Sequence, residues 1–185
     1  MSTLKVNTLQ DTSGNTLSRV LQIVQTVKTD TSSVSVASGA QGTTDSFFSV
    51  SITPSSTSSL ILLGGFITVN CSGGSQEIHI TYRKGGSVLT TAVNGGSTST
   101  SIGDGSGNRQ QTSAGGRSES TYHPFSFPIY LLDKPASTSS LTYSFAMGHG
   151  SGTTRTMYLN RNDSDSNSGE VSRYISLFTA TEIAP

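Results

Sequence analysis

"LILLGGFITV", Leu60 to Val69, decides how this chain folds. A strand with one face in water alternates apolar and polar residues, but here both alternating sets are apolar around a central Gly-Gly. The run is about half of the ~20 residues that a membrane-spanning helix needs. We expect a strand in the middle of a sheet. One of its faces lies on the core and the other against a neighbouring subunit, because water would otherwise meet a continuous apolar stripe.

Similar short runs recur on both sides of it. "LQIVQTVK", "SVSVA" and "FFSVSI" precede it; "EIHITYRK" and "SVLTTAV" follow, and after a long gap come "YHPFSFPIYLL", "LTYSFAM", "RTMYLN" and "SRYISLFTATEI". Several place apolar residues at every second position, as Ile78, Ile80 and Tyr82 do, and none sustains the spacing of a helix. About ten short strands joined by Gly, Ser and Asn turns predict an all-β fold. An antiparallel β-sandwich, in its jelly-roll form, suits this length.

Composition agrees. The chain has 185 residues, a third of them Ser or Thr, and an apolar share of 32%. That suits one domain with a thin core, which burial between subunits would supplement, so a homo-oligomer is expected. Eleven basic and eleven acidic residues cancel, leaving no field to attract nucleic acid. Cys71 is the single cysteine, so no intrachain disulfide can form. The N-terminus lacks the charged start and apolar run of a secretory signal, which predicts synthesis in a cytoplasm, and membrane insertion is not expected.

"STLKVNTLQ" places Leu4, Val6 and Leu9 along an extended segment that breaks at the turn cluster "DTSGNT". Residues 1–18 are therefore expected to form an N-terminal arm that binds something outside itself, and residues 19–185 the β-domain. The longest stretch without clear strands is Asn94 to Thr121. It reads as a surface loop, a flap, or a passage with an irregular edge strand around "RQQTS". Asp104, Asn108, Arg109, Arg117 and Tyr122 in and beside it are the candidate contact residues.

Chemistry is sparse. "GDGSGNR", Gly103 to Arg109, lacks the strand, helix and Lys-Ser/Thr of a phosphate loop. Asp163, Asp165 and Asn167 alternate as calcium ligands do, but Ser168 stands where the sharp-turn glycine belongs and no twelfth-position Glu follows. They form a weak metal candidate. His79, His123 and His149 are scattered, His149 in what reads as a turn, and no nucleophile motif is present. No catalytic residue and no cofactor are expected. One further pattern stands out: "PSSTSSL" at Pro54 to Leu60 returns as "PASTSSL" at Pro135 to Leu141, each time between two apolar runs. It reads as one strand connection used twice, with Pro ending a ladder and hydroxyls bonding local backbone.

"MSTLKVNTLQDTSGNTL", "VSITPSSTSSLILL", "GDGSGNRQ", "YLLDKPASTSSLTYSFAM" and "YLNRNDSDS" with the terminal "TATEIA" resemble the fibre and appendage proteins of marine tailed phages, particularly those of cyanobacteria. The resemblance implies a virion protein, made in the host bacterial cytoplasm. Its arm, with Leu4, Val6 and Leu9, would attach to other phage tail or capsid proteins, and its β-domain would be a trimeric jelly roll of the tumour-necrosis-factor-like kind. Long fibres of that family carry a shaft that is absent here, so the expectation is a short tail fibre or adaptor whose trimer contacts a host-surface glycan. The alternatives are a capsid head fibre and a soluble carbohydrate-binding module.

Overall fold

The structure, a computed structural model, describes residue 10, residues 12–14 and residues 19–184. Leu4, Val6 and Leu9 lie outside the described residues. Among the described residues every regular element is a strand. In chain order these are β1 (Val20–Lys28), β2 (Ser32–Val36), β3 (Gln41–Thr43), β4 (Val50–Ile52), β5 (Leu60–Cys71), β6 (Glu77–Lys84) and β7 (Ser87–Val88). Then follow β8 (Ala92–Asn94), β9 (Ser97–Ser99), β10 (Ala114–Arg117), β11 (Phe125–Asp133), β12 (Leu141–His149), β13 (Arg155–Leu159) and β14 (Ser176–Ile183).

They form two antiparallel sheets. Sheet one runs β1-β14-β5-β11-β8-β9, with β13 on the far half of β5 and β2 beyond it. Sheet two runs β10-β6-β12-β3, with β4 on β12 and β7 on β6. Take β1, β4, β5, β6, β10, β11, β12 and β14 as principal strands one to eight. The first sheet then reads 1-8-3-6 and the second 5-4-7-2, which is the winding of a jelly roll.

The apolar stretch Leu60 to Val69 lies in β5, the middle strand of sheet one, flanked by β14 and β11. Its centre requires glycine. Gly65 has φ +125°, and a Cβ there would stand 2.1 Å from the Leu177 carbonyl oxygen. One residue on from Ile129, the partner of Gly65, the Tyr130 N–H donates to the Tyr82 hydroxyl of sheet two at 3.3 Å, which joins the two sheets.

The core lies between the sheets. Phe145 of β12 packs on Phe178 of β14 at 4.7 Å between ring centres, with Phe48 at 5.9 and 6.0 Å from the two and Tyr82 at 5.6 Å from Phe145. Phe48 is placed by a turn and not by the strand that "FFSVSI" suggests, since β4 begins at Val50. Thr44 makes that turn: its carbonyl accepts the Phe47 and Phe48 N–H groups, and its hydroxyl donates to the Phe48 carbonyl. The region Asn94 to Thr121 also has more order than a plain loop. β9 and β10 lie within it, and β10 follows "RQQTS" directly as an edge strand on β6.

Ile52, Leu60, Asp133, Leu141 and Ile183 are aligned by register at one end of the sandwich, so both repeated connections lie at that end. They share a local turn: Ser58 N–H donates to Ser56 Oγ at 3.2 Å, and Ser139 N–H to Ser137 Oγ at 3.1 Å. The connections between β5 and β6, β10 and β11, and β13 and β14 meet at the opposite end. There Gly73 N–H donates to Asp163 Oδ2 at 2.9 Å and Ser164 N–H to the Thr121 carbonyl.

Candidate functional site

The outer face of sheet one is the most distinctive surface of the molecule, and alternation builds it. Along β14, Ser176, Phe178, Ala180 and Glu182 turn inward and are buried, so Leu177, Thr179, Thr181 and Ile183 turn outward. On β5 the outward set is Leu60, Leu62, Gly64 and Phe66. Register aligns these with their neighbours into three rows across four strands. Ile23, Thr181, Leu62 and Leu132 form the first; Gln25, Thr179, Gly64 and Tyr130 the second; Val27, Leu177, Phe66 and Pro128 the third.

None of the twelve is charged, although the chain carries 22 charged residues. Tyr130 is 80% exposed, Ile23 64% and Val27 50%, so large apolar side chains on two of the four strands stand open to water. Pro128 is tolerated because β11 has no partner on its other side until Asp133 meets Ala92. Further along β5, chain folded back after β13 closes the patch. Thr68 N–H donates to Ser176 Oγ at 3.0 Å, and the Thr68 carbonyl accepts Asn160 N–H.

Beneath the face, at the end with the repeated connections, two buried carboxylates tie the loops down. Glu182 accepts the Ser55 N–H, the Ser55 hydroxyl and the Ser59 hydroxyl, each at 2.7 Å, and Gln22 Nε2–H at 2.6 Å. Burial alone would push its carboxyl up, but these donors outweigh burial and hold it at about 2. Asp133 is fully buried and bonded by Tyr143 Oη–H at 2.6 Å, by Lys84 Nζ at 3.0 Å and by the Thr91 hydroxyl. Burial raises the Tyr143 hydroxyl well above its ordinary value, and the adjacent Asp133 carboxylate adds to the rise.

The residues singled out from sequence fall in separate places. Asp104, Asn108 and Arg109 are exposed on a loop beside Thr112, whose hydroxyl donates to the Ile80 carbonyl in the middle of β6. Arg117 is at the far end of β10, 3.9 Å from Glu77, and Tyr122, half exposed, lies in the turn that follows. The five do not form one patch. Asp165 is held by Arg173 at 2.7 Å and Arg161 at 3.1 Å, so its charge is already matched within the protein, and Asp163 caps the Gly73 N–H. Asn167 lies on the rim of the same loop. Among the described residues no three His, Cys, Asp or Glu side chains gather as a metal site.

His149 is not turn material. It ends β12, is 2% exposed, and its ring lies between the Val36 carbonyl at 2.9 Å and the Ser151 N–H at 3.2 Å. His79 is half buried beside it, and burial lowers its pKa. Cys71 is buried, and burial raises its thiol to about 11, which leaves it an unreactive core residue.

No family model and no curated protein matches the chain. Among solved structures it aligns with one described as the structure of infectious bursal disease virus Gx strain, at 12% identity and a TM-score of 0.41. The alignment covers 97% of this chain and 45% of that one, so this chain spans less than half of its length.

Proposed function

We propose that this protein is a structural, non-enzymatic component of a phage virion, and that it works as a homotrimer whose subunits meet on the outer face of sheet one. The observation that carries the reading is the absence of charge from all three rows of that face. Covering such a face removes apolar area from water without stripping any ion of its hydration. A partner must be equally uncharged there, and a second copy of the same chain meets that condition wherever the protein is made.

The phage assignment rests on the sequence words shared with marine phage appendages. In this reading residues 1–18, with Leu4, Val6 and Leu9, attach the trimer to a tail or capsid protein, and the exposed connections meet the host surface. A glycan contacted weakly by three subunits at once gains avidity without a deep pocket. Light scattering on the purified chain tests the assembly. We expect three times the chain mass of 19.2 kDa, and a folded monomer overturns the reading.

A further inference from the structure

We infer that the face docks by a knob and a hole that every copy carries side by side: Tyr130 of one subunit seats over Gly64 of the next. The inference rests on the self-association proposed above and adds its contact geometry. Gly64 and Tyr130 are direct cross-strand partners of β5 and β11. An aromatic side chain facing a glycine across two strands ordinarily lies over it and covers the bare backbone. Here it does not. A Cβ built on Gly64 meets nothing within 4 Å, while Tyr130 stands 80% exposed, more than any other large apolar side chain among the described residues.

The unfilled space has walls. Leu62 and Phe66 flank Gly64 along the strand on the same face, and Thr179 faces it from β14. The result is a dimple one residue wide on a face without charge. Its floor is not a strained glycine: Gly64 has no left-handed φ, unlike Gly65 beside it. Side-chain freedom is therefore available at Gly64, and a glycine there leaves room that the fold itself does not use. The complementary object, a two-torsion aromatic with a polar tip, is of the kind that anchors interfaces at little cost in conformational entropy.

Because the knob and the hole are adjacent on one face and not at the two ends of a molecule, each subunit can give its ring to one neighbour and take a ring from another. The contact closes into a ring where the rotation between successive subunits brings the last back to the first, as in the trimer proposed above.

Two variants test the docking, with wild-type assembly measured alongside. Tyr130→Ala removes an exposed ring and leaves the fold untouched; its trimer should dissociate at a roughly thirtyfold higher concentration, as for loss of an interface anchor. Gly64→Leu fills the hole and should give a folded monomer by light scattering, with an unchanged circular dichroism spectrum. If Gly64→Leu does not fold, Tyr130→Ala alone decides. If the variants dissociate at the wild-type concentration, the knob-and-hole docking is wrong although the chain self-associates. If the wild-type chain is itself monomeric, the assembly reading falls and the docking with it.

Discussion

Glu182 shows how much one residue can hold. It sits inward on β14 with no cation among its hydrogen-bond partners, and its charge is balanced by donors alone: one backbone N–H, two hydroxyls and one amide. Its folded pKa of about 2 lies below the ordinary 4.5. The stabilisation is therefore complete above the ordinary value and disappears as pH falls from about 4.5 through about 2. Glu182→Gln should flatten the acid limb of a melting-temperature profile over that window and lower stability at neutral pH by about 2 kcal/mol. An unchanged acid limb would show that the cradle carries no linked stability. Nothing in "TATEIA" marks this residue, because its partners lie 123 to 160 positions earlier in the chain. The sequence instead drew attention to Asp163 and Asp165, where acidic residues cluster, and there the two arginines that answer Asp165 come from the same connection between β13 and β14.

The repeated connection is an element whose two copies have different work. Both turn the chain with the same serine hydroxyl, which sequence alone suggests from the run of small hydroxylated residues after Pro. Only the first copy reaches inward. Ser55 and Ser59 serve Glu182, whereas the second copy has Ala136 at the position of Ser55, in a left-handed conformation with φ 51°, and Ser140 is exposed. Ser59→Ala should cost about 1–2 kcal/mol and Ser140→Ala less than about 0.5, measured by chemical denaturation. Equal effects would mean that the carboxylate does not depend on the first loop. Strands of eight residues or more, such as β1, β5, β6, β11, β12 and β14, were legible because their apolar residues repeat or run on. β3, β9 and β10 were not, since "QGT", "STS" and "AGGR" hold little apolar pattern and are strands only because a neighbour offers an unpaired edge.

At the scale of the whole molecule, the β-sandwich follows from the number and spacing of the runs, and its jelly-roll winding from long connections that carry the chain between sheets. Strand order was not legible. It depends on which edges meet, as β14 slots between β1 and β5 from the far end of the sequence. The outward apolar rows were legible in part: β5 announced its second face, but a charge-free surface emerges only when register lines up four strands. A deletion of residues 1–18 tests the division of labour. The remaining domain should stay folded and oligomeric yet fail to join virions, and truncated protein found on particles by electron microscopy would place attachment elsewhere.

Val20 pairs with Ile183, and the Ala184 N–H donates to the Arg19 carbonyl at 2.8 Å. The chain thus enters and leaves the sandwich at one spot, beside the repeated connections. A tether pulling there loads two hydrogen-bonded strands in an unzipping direction and leaves the distant turns around Gly73, Thr121 and Asp163 pointing away from the anchor. On the proposed virion, with residues 1–18 as the tether, this would make a directional mount: force would enter at one end, and the surface offered to whatever the particle collides with would be at the other.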